Sequence, residues 1–191
     1  MLFHQKINKL HLRLYKPTLA SLTKLPVLYY LHGGGFCLGS HTFPNFHNIC
    51  HRLASGLGVL VMALDYRLAP EHRLPSAIDD AVSSLKWLQT LSMHGDIDHS
   101  GTWLGDGVVD FDRVFAIGDS SGGNMAHRCN RLGVGSVELE PVRVRGYVLL
   151  APFFGGSVKT RSEEERPCEE FWNLDMYDRV VHLDYEPNRY K

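Results

Sequence analysis

Val114-Phe115-Ala116-Ile117-Gly118-Asp119-Ser120-Ser121-Gly122-Gly123 decides the reading of this chain. Four apolar residues rich in strand formers run straight into Gly-Asp-Ser-Ser-Gly-Gly, and a helical pattern follows from Ser121. A strand that turns at once into a helix forces the central serine into a strained backbone geometry. Small flanking residues are needed because the turn has no room for side chains. Ser120 is thereby expected to stand beyond the sheet's carboxyl edge, at the positive end of a helix. Gly118, Asp119 and Gly122 are read as the support of this turn. A glycine-rich helix start that only packs or binds an anion is the structural alternative.

Outward from this turn, three more apolar runs look like strands covered on both faces: Val27–Leu31, Val59–Leu64 and Tyr147–Ala151. They lack alternation and are bounded by Gly, Pro or Asp, as in a parallel sheet. Leu10–Tyr15 alternates Leu10, Leu12 and Leu14 with His11 and Arg13, which predicts a half-exposed strand near a sheet edge. Ile78, Ala81, Val82, Leu85, Leu88 and Leu91 recur at helical spacing, which predicts a helix over 76–92, with Asp79 and Asp80 at its positive end. Shorter helices are predicted over 45–56 and 121–132. Residues 94–112 read as a polar surface loop, and the charged stretch 157–170 as a solvated loop or helix edge. Strands alternating with helices imply an α/β fold with a mainly parallel sheet.

A second glycine-rich corner, His32-Gly33-Gly34-Gly35, follows Val27–Leu31 directly. An acyl-transfer reaction puts negative charge on the former carbonyl oxygen, and backbone N–H groups aimed there stabilise it. The expected donors are the N–H groups of Gly33, Gly34 and Ser121, with Ser120 as nucleophile. His32 is expected to order the loop rather than act as base, and Gly35 to support it.

Composition excludes other classes. The 191 residues are 44% hydrophobic and 21% charged, with a net charge of −1. No basic excess exists to neutralise phosphates, so nucleic acid is not an expected partner. The longest apolar run, Val59–Leu64, is far short of the about 20 residues that a membrane span needs. The amino terminus lacks the apolar core of a signal peptide, so a cytoplasmic location is expected. The four cysteines contain no CxxC pair and read as reduced thiols. His47 and His51 share a helical face, but Asn48 stands where a zinc protease carries glutamate. No metal and no cofactor are expected.

A third segment, Asp65-Tyr66-Arg67-Leu68-Ala69-Pro70-Glu71-His72, follows the Val59–Leu64 strand as a polar turn into a helix. HGGGF, DYRLAPEH and GDSSGGN together resemble the hormone-sensitive-lipase-like branch of the α/β-hydrolases. KLPVLYYLHGGGF and VRGYVLLAPFFGG resemble the plant carboxylesterases, relatives of the gibberellin receptors. The resemblance runs from about Lys6 to about Arg179, with a divergent tail over 180–191, and treats 1–191 as a single partial domain. It implies an α/β-hydrolase fold, incomplete at both ends, and hydrolysis of a small-molecule carboxylic ester. It places the nucleophile on Ser120 and the oxyanion hole on Gly33, Gly34 and Ser121. Family members also carry an aspartate and a histidine on later strands, which are expected to be missing here, so that turnover by the chain as written is expected to be poor. His182, with Asp175, Asp178 or Asp184, is the remaining candidate pair. The resemblance leaves two other readings: a non-catalytic gibberellin-receptor-like binder, and a dehydratase acting on hydroxyisoflavanones.

Overall fold

A computed structural model of the protein describes residues 2–7, 10–18, 24–94, 107–131, 139–154 and 161–165. Along the chain these form β1 (Leu2–Ile7), β2 (Leu10–Tyr15), β3 (Leu25–Leu31), α1 (Pro44–Leu57), β4 (Leu60–Asp65), α2 (Ser76–His94), β5 (Val109–Asp119), α3 (Ser121–Arg131), β6 (Val144–Leu150) and α4 (Arg161–Glu165). The six strands make one sheet in the order β1-β2-β4-β3-β5-β6. β4, β3, β5 and β6 run parallel, and β1 and β2 are antiparallel. This is the expected α/β architecture.

Alternate residues of each strand feed two separate cores, which is why the central strands carry no polar alternation. Val27, Tyr29 and Leu31 of β3, Leu60, Met62 and Leu64 of β4, and Val114 and Ala116 of β5 pack with α2 and α3 on one face. Leu28, Tyr30, Val61 and Ala63 pack with Cys50 and Ala54 of α1 on the other. α1 starts with Pro44 in its first turn and stops at Gly58, whose φ of 64° is left-handed.

Two sequence expectations change. β2 lies one strand in from the β1 edge, and of its residues only His11 is exposed. Arg13 is buried because its guanidinium donates to the carbonyl of His41, and that bond replaces the solvent the alternation implied. The supposed loop 94–112 ends in strand: residues 109–112 belong to β5, where Val109 pairs with Leu25 and is buried. Surrounding polar residues hid this short segment, which only the partner strand makes regular. β1 was not anticipated at all. In 157–170, α4 carries an Arg161–Glu165 ion pair on its exposed surface.

No helix among the described residues is long and apolar enough to cross a membrane.

Candidate active site

The two glycine corners end neighbouring parallel strands. Leu31 at the end of β3 pairs with Gly118 near the end of β5, so HGGG and the serine turn emerge side by side at one edge of the sheet.

Ser120 has φ of 51°, a left-handed conformation that costs a non-glycine residue roughly 1–3 kcal/mol. Three backbone hydrogen bonds hold it there. Its N–H donates to Leu150 O at 2.9 Å, and its carbonyl accepts from Asn124 N at 3.1 Å and Phe153 N at 2.9 Å. The Asn124 side chain also donates to Phe153 O at 2.8 Å. The turn is thus clamped between α3 and the chain leaving β6. The flanking glycines follow from contact distances. A Cβ on Gly118 would overlap the Gly122 carbonyl, and one on Gly122 would overlap Leu31 O. α3 therefore starts pressed against the ends of β5 and β3, with Ser120, only partly buried, at the head of this tight turn.

The HGGG loop is held from several sides. Gly34 has φ of 125°, and a Cβ there would overlap Leu38 O. Its carbonyl accepts from Cys37 N at 3.1 Å and Leu38 N at 2.9 Å, closing the turn. Gly33 N–H, expected as an oxyanion donor, instead donates to Asp119 Oδ1 at 3.0 Å. The same oxygen accepts the Tyr30 hydroxyl at 3.1 Å. In this structure the Gly33 N–H is thus engaged by Asp119.

His32 is fully buried, and its Nδ1 lies 2.8 Å from Gly33 O. A carbonyl only accepts, so Nδ1 carries the proton. Burial pushes the His32 pKa below its ordinary value. The ring stacks on Tyr66, with ring centres 4.2 Å apart.

The Asp65-Tyr66-Arg67 segment, a plain polar turn by sequence, braces this edge. Tyr66 Oη donates to His32 O at 2.9 Å. Asp65 Oδ1 accepts from His41 N at 3.2 Å and lies 3.1 Å from His41 Nδ1. Burial raises the Asp65 carboxyl pKa, but hydrogen bonds from His41 and Ser40 outweigh it and hold it below the ordinary value. Arg67 forks onto Asp80 of α2, with Nη2–Oδ1 at 2.7 Å and its backbone N–H on Oδ2 at 2.9 Å. Ala69 N–H donates to Phe36 O at 2.9 Å. Sequence reasoning missed Tyr30, Asp65, Tyr66 and Arg67 as parts of the site, since their partners are 13 to 89 residues away. The quoted motif DYRLAPEH was the available signal.

Among the described residues no group of three or more His, Cys, Asp or Glu could hold a metal ion. His47 instead shares a 3.0 Å hydrogen bond with the Tyr15 hydroxyl. His127 stands edge-on to Phe154, with ring centres 5.1 Å apart. His182, Asp175, Asp178 and Asp184 lie outside the described residues.

Known proteins resemble this chain in sequence and fold. The model of a family described as alpha/beta hydrolase fold matches residues 28–189. Probable carboxylesterase 8 of Arabidopsis thaliana is 41% identical over 187 residues, covering 91% of this chain and 55% of that protein. Gibberellin receptor GID1B of the same plant is 39% identical over 167 residues, covering 87% and 42%. Among solved structures, EstE1, a thermostable carboxylesterase cloned from a metagenomic library, superposes with a TM-score of 0.75 at 31% identity, covering 96% of this chain and 57% of that one. The chain spans about half the length of the curated relatives it matches. With the parallel sheet, the strained serine turn and the glycine loop beside it, these likenesses establish that the chain belongs to the α/β-hydrolase fold family, in its hormone-sensitive-lipase-like branch.

Proposed function

We propose that this protein hydrolyses small-molecule carboxylic esters, with Ser120 as nucleophile. The observation that carries the reading is the left-handed Ser120 beside the HGGG corner. In the proposed reaction the Ser120 hydroxyl attacks the ester carbonyl and passes its proton to a general base, for which His182 is the remaining candidate in the sequence. An acyl-enzyme forms, the alcohol leaves, and water releases the acid. The developing oxyanion is met by the N–H of Gly34 and of Ser121. Ser121 is the first residue of α3, so its N–H has no partner within the helix. Each such donor contributes about 3–4 kcal/mol to the transition state in mutagenesis of other enzymes.

The reading is tested on p-nitrophenyl acetate and with a fluorophosphonate probe, wild type against Ser120→Ala. Ester turnover and probe attachment, mapped to Ser120, are both expected to vanish in the variant. Turnover that survives Ser120→Ala would sink the reading. The labelling rate also reports the general base. Loss of a triad base lowers turnover by about 10⁶, leaving about 10³–10⁴ over water.

A second reading, a gibberellin-binding role, draws on the likeness to the gibberellin receptor. The retained serine at the strained position favours the esterase. Calorimetric titration with gibberellin separates them, since only the receptor reading expects saturable heat.

A further inference from the structure

Asp119 sits immediately before Ser120, yet it faces the other glycine corner. Its Oδ1 accepts both the Gly33 N–H and the Tyr30 hydroxyl. The described β3–β5 ladder reaches the Leu31–Gly118 pair. The carboxylate continues that connection beyond the ladder, from the last residue of β5 to the loop that follows β3.

The identity of Gly33 follows from the same contact. A Cβ there would overlap Asp119 Oδ2, with Asp119 O at 3.0 Å and Cγ at 3.1 Å. Unlike Gly34, Gly33 does not have a left-handed φ. Its missing side chain makes room for Asp119.

A carboxylate next to a nucleophile would oppose the negative charge that grows on a substrate oxygen. Two hydrogen bonds to one oxygen hold this one in place and disperse its charge, and bonds to an ionised acceptor are about twice as strong as neutral ones. Once Gly33 is taken, the next amide along the loop is that of Gly34, where the turn begins.

We propose that Asp119 is a positioning residue: by holding Gly33 N–H and Tyr30 Oη it fixes the glycine loop so that Gly34 N–H, and not Gly33 N–H, faces the oxyanion above Ser120. The inference rests on the reading of Ser120 as nucleophile.

The test uses the full ¹⁵N-labelled chain with Asp119→Asn, Asp119→Ala and Tyr30→Phe, and two readouts. The first needs no catalysis. The Gly33 amide proton is expected to exchange slowly in the wild type, to move upfield in Asp119→Asn as its acceptor loses charge, and to exchange at least about 10-fold faster in Asp119→Ala as the bond is lost. The second is the rate of Ser120 phosphonylation. It is expected to fall about 10²-fold in Asp119→Ala, the scale of one lost oxyanion donor, and to stay within about 10-fold in Asp119→Asn, which keeps an acceptor oxygen. Should Asp119→Ala fail to fold, the Gly33 resonance in Asp119→Asn and Tyr30→Phe still decides the contact. A Gly33 amide indifferent to Asp119→Asn overturns the inference. So does a Gly33 amide that responds while phosphonylation of Asp119→Ala runs at the wild-type rate. A wild-type Ser120 inert to the probe overturns the esterase reading instead, and the Gly33 signal then reports the contact alone.

Discussion

His32 carries its proton on Nδ1 because the Gly33 carbonyl accepts it, and burial disfavours a second proton. Its pKa is lowered from 6.5 in the folded protein. Between the folded and unfolded values the unfolded chain binds more protons, so stability falls as the solution is acidified through that window. The contribution is fully present above about pH 6.5 and is lost toward the folded value. His47, also lowered by burial, acts in the same direction. Thermal melts from pH 7.5 to 5 are expected to show a falling Tm, with a shallower fall in His32→Gln. An equally steep fall in that variant would show that His32 is not the group responsible. Asp65 acts in a separate window. Its depressed carboxyl contributes stability above the ordinary carboxylate value of 3.8, lost as pH drops through the folded value.

α3 begins where three backbones meet. Gly122 sits where a Cβ would overlap Leu31 O, and His32 O lies 2.7 Å from the same point. Both atoms are backbone and cannot rotate away, so Gly122→Ala must shift the helix against β3. A loss of about 1–3 kcal/mol in urea unfolding is expected, the usual scale for overpacking. Ser120 labelling should slow with it, because the same shift moves the Ser121 amide. An unchanged urea midpoint would mean that α3 has slack here. The sequence already showed this element: Ser120 to Gly123 read as a strand-to-helix turn, and 76–92 and 45–56 as helices within two residues of their observed ends. β1 and the first residues of β5 were not legible. Short strands among polar neighbours become regular only when a partner supplies hydrogen bonds, as Leu25 does for Val109.

Among the described residues the two faces of the sheet are covered unequally. There α2 and α3 cover one face, whereas α1 covers the other around β2, β4 and β3. On the α1 side, Phe115 is 38% exposed, Val148 46% and Leu150 48%. Ile117 pairs with Val148 and Asp119 with Leu150, so Phe115, Val148 and Leu150 share one patch over β5 and β6. Contiguous apolar surface of this kind promotes association. Val148→Lys is expected to raise solubility and to lower the fluorescence of a bound hydrophobic dye, without loss of secondary structure. Dye binding unaffected by the new charge would place the sticky surface elsewhere.

Local physics was enough for much of this protein. Periodicity marks the α/β class, because burial on two faces or one leaves a trace residue by residue. The G-x-S-x-G spacing marks Ser120, because the strained turn needs small residues on either side. What Gly33 donates to, what Tyr66 and Arg67 hold, and why Arg13 is buried were decided only by the tertiary structure. Those contacts join residues 13 to 86 positions apart, across strands whose order and register come from packing. A hydrogen bond between such residues leaves no mark on the local pattern of either one.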